Sequence, residues 1–262
     1  MTKKQLPTIT LKQKEILLYL YKFRFLTTNQ IQKLLKHKEP QRIQSWLKDL
    51  IDKKYVSRHY DRKSFEDNTK PAIYYLGSKA RFILKDAKDL DFERLEYIYS
   101  ENRRKEKFVN HCLFLVVVYL YLLSQKEENE ELRFFTKAEL LNYDYFPDPI
   151  PDAYISVKGK NKTRRYFLDL FDEYTPPFVH RQRVRTYLEY AEKDDWDENT
   201  NNTPLPSILF IFPTESAKKH INYYAKSLLE KTYGDKISLY LTIKTKIKIG
   251  EKNNIWQKVE QT

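Results

Sequence analysis

The apolar spacing of residues 31–51 constrains the fold more than any other feature of this sequence. Ile31, Leu34 and Leu35 recur at the i, i+3, i+4 spacing of one buried helical face. Pro40 follows a short polar break, and a helix can begin there because its first residue needs no backbone N–H. The second helix has an apolar face that consists of Ile43, Trp46, Leu47, Leu50 and Ile51. The pattern therefore predicts two helices joined by a short turn.

The opposite face of the second helix is polar, and its side chains are of the kinds that bond base edges or phosphates. These residues are Gln41, Arg42, Gln44, Ser45 and Lys48. Two β-prone runs, 55–58 and 72–76, follow the helix, and a basic loop lies between them. Helix, short helix, amphipathic helix and hairpin is the element order of a winged helix-turn-helix. We therefore expect groove contacts from the helical residues and phosphate contacts from Arg58, Arg62, Lys63 and Lys70.

The distribution of charge favours this DNA-binding interpretation independently. The net charge is +12, and residues 1–90 contain 21 Lys and Arg against nine Asp and Glu, which accounts for the whole excess. Residues 91–262 contain 27 of each sign and are neutral. Positive charge confined to one segment indicates a polyanion-binding module attached to a neutral body. The alternative is an ordinary small α+β domain with a solvated basic face.

Composition excludes several classes of protein. The single cysteine, Cys112, excludes an intramolecular disulfide and a multi-cysteine zinc site. The longest apolar run, 112–123, is shorter than the roughly 20 residues that a membrane span needs. The N-terminus has no signal-peptide core. We therefore expect a cytoplasmic protein without membrane association.

Residues 108–250 read as a mixture of strands and helices. The nearly continuous apolar run 108–123 predicts a central helix. Strand patterns at 207–212 and 236–243 enclose a helical pattern at 215–231, and this order predicts parallel strand pairing in an α/β layer. The predicted fold class of the whole chain is α+β.

Two carboxylates raise the question of catalysis. Asp152 opens one predicted strand and Asp169 lies near the end of the next, so a hairpin would bring them to one sheet edge. Oxygen ligands of this kind suit magnesium. Nucleases of the restriction-endonuclease-like class have a lysine two residues after the second acid, whereas Phe171 occupies that position here. The sequence therefore predicts no cofactor and no complete catalytic set, and Mg²⁺ belongs only to the nuclease alternative.

A structural interpretation of the same residues stands beside the catalytic one. Asp169 lies in an apolar strand, and a buried carboxylate needs a partner, for which the sequence offers Arg165 or Arg185. Asp152 follows a proline, which is typical of a turn or cap residue. Other residues available to a site are His111, Arg181 and Arg183, but none of them replaces the missing lysine by spacing.

The order of these motifs resembles the replication-relaxation family of plasmids and integrative elements. The resemblance covers residues 10–245. It rests on the winged-helix pattern, His111 before HCLFLVVV, Pro-Asp at 151–152, Asp169 with Thr175 beyond it, and a helix with Arg185 and Tyr187. The family commonly has Glu where Asp169 stands, and it has a second acid and a Gly nearby. Here Asp172 and Glu173 lie close but out of step.

The resemblance implies a winged helix-turn-helix at 1–88, a linker or connecting helix at 89–107, a degenerate endonuclease-like α/β domain at 108–250 and a polar tail at 251–262. It implies a sequence-specific double-stranded DNA-binding protein that acts in replication, relaxation or mobilisation of a plasmid or mobile element. The expected partners are double-stranded DNA, a second copy of the chain, and a replication or mobilisation protein. The alternatives are a metal-dependent nuclease that uses Asp152 and Asp169, and a plain winged-helix transcriptional regulator.

Overall fold

The computed structural model describes residues 6–59, 71–85, 90, 95, 100–101, 103–230 and 237–260. Helices and sheets are mixed along the chain, which confirms the predicted α+β class. The chain divides into two compact units, Met1–Leu120 and Tyr121–Thr262. The predicted connecting segment 89–107 lies largely outside the described residues.

The first unit combines helices with a small antiparallel sheet. Its helices are α1 (Leu11–Phe23), α2 (Thr28–Leu34), α3 (Pro40–Asp52) and α4 (Ala80–Leu84). Its strands are β1 (Leu26–Thr27), β2 (Val56–His59) and β3 (Ile73–Leu76), which pair in the order β1-β3-β2. Thr10 and Thr27 begin α1 and α2 with capping boxes, in which a glutamine three residues later bonds back to the threonine N–H.

The hairpin of β2 and β3 pairs Val56 with Leu76 and His59 with Ile73. Gly77 ends β3, and its N–H donates to the carbonyl of Tyr55 at 2.8 Å. A Cβ at Gly77 would lie 2.6 Å from the carbonyl oxygen of Lys54, so only glycine allows the chain to pass so close to the end of α3. Residues 60–70, which connect the two strands, lie outside the described residues.

The apolar face of α3 packs into the core of the first unit. Ile43, Leu47 and Leu50 are buried with residues of α1 and α2, as their spacing predicts. Trp46 and Ile51 are only half-buried. Trp46 instead places its ring against His37 at 5.2 Å, where it covers the turn between α2 and α3.

Helix α5 (Glu106–Gln125) confirms the predicted apolar helix. It has the length and apolar composition of a membrane span, a property that core helices of soluble proteins share. Within the first unit, Val109 and Cys112 pack against Phe25, and Gln30 donates from Nε2 to the carbonyl of Leu113 at 2.8 Å. These contacts assign the first part of α5 to a protein core.

The second unit is built on a six-stranded sheet in the order β4-β5-β6-β7-β8-β9. The strands are β4 (Glu131–Thr136), β5 (Ala153–Lys158), β6 (Thr163–Leu170), β7 (Ser207–Phe212), β8 (Leu239–Ile243) and β9 (Gln257–Lys258). Strands β4, β5 and β6 form an antiparallel meander, whereas β6, β7 and β8 are parallel. The parallel pairing predicted for the last two long strands is confirmed. The helices are α6 (Lys137–Leu140), α7 (Pro177–Ala191), α8 (Asp195–Thr200) and α9 (Glu215–Leu228).

Helices α7 and α9 cover one face of this sheet. Phe167, Phe210 and Leu239 from three neighbouring strands belong to the same buried cluster as Val184 of α7 and Ile221 of α9. Because side chains alternate along a strand, the residues between them face the other side of the sheet.

The expected polar tail at 251–262 is a correction. Gln257–Lys258 pair with β8, and Val259 is buried in the core, where its N–H donates to the carbonyl of Leu239 at 2.9 Å. The segment is ordered because β8 would otherwise present an unpaired edge, and a two-residue strand has too few residues to show a periodic pattern.

Candidate functional site

The polar face of α3 is exposed along the whole helix. Gln41, Arg42, Gln44, Ser45 and Lys48 are all exposed, while Ile43, Leu47 and Leu50 on the other side are buried. The α-helical period of 3.6 residues places these two sets on opposite faces. The five residues predicted for groove contacts therefore form one continuous surface, which we call the α3 face.

Contacts in the turn before α3 fix the direction of the helix. The N–H of Glu39 donates to Nδ1 of His37 at 3.1 Å, and Gln32 donates from Nε2 to the carbonyl of His37 at 3.1 Å. At the other end, Asp49 accepts hydrogen bonds from Gln13 of α1 and from Lys53 at 2.6 Å. The bond from Lys53 holds the pKa of Asp49 below its usual value. The α3 face is thus presented by a helix that is tied at both ends.

The predicted phosphate contacts are only partly described. Arg58 is exposed on β2, and its guanidinium lies 5.6 Å from the ring of Tyr74 on the paired strand. Arg62, Lys63 and Lys70 lie outside the described residues.

The structure brings Asp152 and Asp169 to the same end of the β5–β6 hairpin. The register pairs Ala153 with Leu168, so the two acids are neighbours across the strands. One carboxylate oxygen of Asp152 accepts the N–H of Leu170 at 2.8 Å. The carboxylate of Asp152 therefore supports the backbone beside Asp169.

Asp169 is buried, and both of its carboxylate oxygens are hydrogen-bonded. Arg183 donates to Oδ2 from Nε at 2.7 Å and to Oδ1 from Nη2 at 3.1 Å. The hydroxyl of Tyr187 donates to Oδ2 at 2.7 Å. We call Asp169, Arg183 and Tyr187 the Asp169 cluster.

The partner that the sequence offered for Asp169 was wrong. Arg165 lies four residues earlier on the same strand, about 13 Å away at 3.3 Å per residue. Arg185 is exposed on α7 and donates to the hydroxyl of Tyr224 on α9. Arg183 faces the sheet instead, because it lies one helical turn from Tyr187 on the buried stripe of α7. That stripe, read from Val184, Tyr187 and Leu188, was the signal that would have found it.

The surroundings of Arg183 satisfy the whole side chain. It also donates from Nη1 to the carbonyl of Pro149 and from Nη2 to the hydroxyl of Tyr187, and its guanidinium lies 4.4 Å from the Tyr187 ring centroid. Burial opposes the charge of Arg183, but the carboxylate of Asp169 outweighs this and raises the pKa of Arg183. Burial, followed by the charge of Asp169, raises the pKa of Tyr187 well above its usual value. The phenol therefore stays protonated and continues to donate.

These contacts make the Asp169 cluster structural in character. A cation at Asp169 would have to displace a bidentate guanidinium, and the position of the nuclease lysine holds Phe171, whose ring packs on Phe210 and Phe212 at 5.3 and 5.0 Å. Within the described parts of the chain, no group of three or more His, Cys, Asp and Glu residues is placed to hold a metal ion.

The other residues considered for a site lie elsewhere. His111 lies on α5 within the first unit and is half-buried. Arg181 contacts His220 of α9, with 3.0 Å between Nη1 and Nε2. Asp172 and Thr175 form a turn before α7, in which Oδ1 of Asp172 accepts the N–H of Tyr174 at 3.0 Å and the hydroxyl of Thr175 at 3.1 Å. Neither Arg181 nor Thr175 bonds to the Asp169 cluster in the contacts described for these residues.

Comparison with protein families decides the classification. The model of the family described as replication-relaxation matches residues 17–205, which is most of the chain. The chain belongs to the replication-relaxation family. This confirms the resemblance that the motifs indicated, and the matched segment of this replication-relaxation protein contains both the α3 face and the Asp169 cluster.

Solved structures similar to this replication-relaxation protein include the restriction endonuclease FokI, with a TM-score of 0.33 at 14% identity over 91% of this chain and 43% of that chain. FokI bound to DNA gives a TM-score of 0.32 at 15% identity over 90% of this chain and 43% of that chain. The replication-relaxation chain thus spans less than half the length of these structures. A comparison with curated proteins gives no significant match.

Proposed function

We propose that this replication-relaxation protein binds double-stranded DNA sequence-specifically through the α3 face, and that it acts in replication, relaxation or mobilisation of a plasmid or mobile element. Membership of the family supports a DNA-related role. The observation that carries the proposal is the exposure of all five polar residues on one side of a helix whose other side is core.

The dimensions of α3 suit the major groove. Its 13 residues span about 20 Å at 1.5 Å per residue. A major groove about 12 Å wide admits one helix, and recognition helices contact base edges mainly from their N-terminal residues. Gln41, Arg42, Gln44 and Ser45 all lie in the first two turns of α3, where such contacts are expected. Arginine bonds guanine and glutamine bonds adenine in a bidentate manner.

The electrostatics of the first 90 residues suit a polyanion. Lys and Arg exceed Asp and Glu by 12 in this segment, as counted from the sequence. Lys48 and Arg58 are exposed on α3 and β2, and we assign them to groove and phosphate contacts respectively. Arg62, Lys63 and Lys70 stay in the proposal as further phosphate contacts, on the basis of the sequence alone.

The test is a gel-shift series against selected duplex sites. Removing Arg42 and Gln44 together (Arg42→Ala with Gln44→Ala) should relax base discrimination by about 5- to 150-fold, because one good bidentate contact discriminates by about 1–3 kcal/mol. Lys12→Ala, which changes an exposed lysine on α1, is the matched control and should leave discrimination unchanged. Discrimination that survives the double substitution would refute the assignment of the α3 face.

We further propose that the protein is cytoplasmic and that its second unit serves dimerisation or docking of a replication or mobilisation protein. Sedimentation of the free chain and of its DNA complex tests the dimer. Mapping the bound sites in the source genome separates an origin-binding protein from a transcriptional regulator, since the regulator would occupy promoters.

The juxtaposition of Asp152 and Asp169 favours one further candidate, a metal-dependent nuclease. The pairing of Asp169 with Arg183 and Tyr187 weighs against it. A plasmid-cleavage assay with Mg²⁺ or Mn²⁺ decides between them. Cleavage by the wild-type chain that Asp169→Asn abolishes would replace our proposal for the second unit with a catalytic one.

A further inference from the structure

A cavity of about 320 Å³ opens on the second unit's sheet. Its sheet residues include Tyr166, Leu209 and Tyr240, which alternate with the core residues under α7 and α9 and so face the other side. This volume lies at the lower end of the range of about 300–1,000 Å³ that is typical of small-molecule sites. The cavity is therefore separated by the sheet from the helices that carry Arg183 and Tyr187.

Four aromatic side chains from different elements line the cavity. Tyr121 comes from the end of α5, Tyr166 from β6, Tyr240 from β8 and Trp256 from the residue before β9. Tyr121 is buried, and its hydroxyl donates to the carbonyl of Asn253 at 3.2 Å, which ties the C-terminal segment over the sheet. The other three rings are half-buried and so remain partly accessible from the cavity.

Polar groups surround the aromatic walls. Arg164 donates from Nη2 to Oε1 of Glu130, whose side chain is 13% exposed, while that of Arg164 is 48% exposed. The lining also includes Lys126 and the carboxamides of Gln125, Asn253 and Asn254, and a carboxamide both donates and accepts hydrogen bonds. Burial raises the pKa of Tyr166, so its phenol stays protonated at neutral pH and is able to donate.

We propose that this cavity binds a nucleotide, with the base against the aromatic walls and the phosphate at Arg164. Aromatic rings stack on any base, since every base has a π-face. The planar guanidinium of arginine matches the geometry of a phosphate. A free nucleotide and an unpaired nucleotide of single-stranded DNA share this chemistry. The site is distinct from the α3 face, so its occupancy does not depend on duplex binding.

The test measures binding to the full chain with two kinds of probe. Isothermal titration with each of the four deoxynucleoside monophosphates detects a free nucleotide, and fluorescence anisotropy with a short labelled oligothymidylate detects a single strand. Binding of the oligonucleotide alone would identify single-stranded DNA as the source, whereas binding of a monophosphate would show that a free nucleotide suffices.

Two substitutions locate the bound probe. Trp256→Leu should weaken binding by about 10-fold, as expected for the loss of one stacked ring. Arg164→Ala should weaken binding and reduce its salt dependence. The matched control is Arg133→Ala, which removes an exposed arginine paired with Glu131 on β4, outside the cavity.

Arg164 is exposed, so its variant remains informative even if Trp256→Leu reduces stability. The proposal is overturned if the wild-type chain binds neither probe. It is equally overturned if Arg164→Ala and a folded Trp256→Leu variant bind like the wild type, or if Arg133→Ala weakens binding as much as Arg164→Ala does.

Discussion

Arg42 and Arg183 are both helical arginines, but the protein uses them in opposite ways. Arg42 is exposed on α3 among other polar residues, whereas the Arg183 side chain is 8% exposed and is bonded to Asp169, Tyr187 and Pro149. A buried charge persists only where every donor has an acceptor, and such a group has little capacity left for a ligand. An exposed arginine retains that capacity. The comparison indicates that binding belongs to the α3 face and stability to the Asp169 cluster.

The largest effect should come from removing the partner of the buried carboxylate. Arg183→Met would leave Asp169 charged and unpaired, and breaking a buried pair in this way costs about 3–5 kcal/mol. Urea unfolding of the variant measures this loss. Arg185→Ala, which removes an exposed arginine two residues away, should cost less than about 1 kcal/mol. Equal costs for the two substitutions would remove the contrast between buried and exposed arginines.

A smaller loss of stability should follow from deleting one hydroxyl of the same cluster. Tyr187→Phe keeps the ring over Arg183 but removes the donor to Oδ2 of Asp169 and the acceptor of Nη2 of Arg183. Hydrogen bonds to charged groups contribute about 1.5–3 kcal/mol, and urea unfolding should show a loss of this size. Tyr174→Phe changes an exposed tyrosine and serves as the control. A neutral Tyr187→Phe variant would mean that the cluster does not need the phenol.

The second unit should also lose stability in mild acid. His180 is buried between Phe171 and Phe212, at 4.5 and 5.4 Å between ring centroids, and burial lowers its pKa below the usual 6.5. Nearby, His220 lowers this pKa further and Asp172 raises it. The unfolded chain takes up a proton near pH 6.5 while the folded chain resists, so stability present above that pH is lost as the pH falls.

Thermal unfolding between pH 7.5 and about pH 5.5, above the usual range of carboxylates, measures this effect. His180→Leu should flatten the dependence, whereas His37→Gln in the first unit should leave it unchanged. A pH dependence that is identical in His180→Leu and the wild type would assign the effect to other groups.

The smallest effect on stability should come from the α3 face. Lys48→Ala should change the free energy of unfolding by no more than about 0.5 kcal/mol, because the side chain is exposed. If Lys48 meets a phosphate, the slope of log K against log salt should fall by about 1. If it contacts a base as we assign it, discrimination changes at one position of the site instead. A variant that loses stability without any change in DNA binding would assign Lys48 to the fold.

The sequence predicted the α3 face correctly because the signal is local. Ile43, Leu47 and Leu50 recur with the helical period, and the residues between them must then face outward. The parallel pairing of β7 and β8 was predictable for a similar reason, since a strand, a helix and a strand in succession leave few arrangements. The position of Asp152 beside Asp169 also followed from a short hairpin.

What only the tertiary structure decided involves contacts between distant segments. Which arginine meets Asp169 depends on the rotation of α7 against the sheet, and that rotation is set by the packing of Val184 and Tyr187 on residues of β6 and β7. The pairing of Gln257–Lys258 with β8 likewise depends on an edge that is formed far earlier in the chain. Periodicity records which side of an element is apolar, but it does not record which element lies opposite, because that choice is made by the shape of the assembled core.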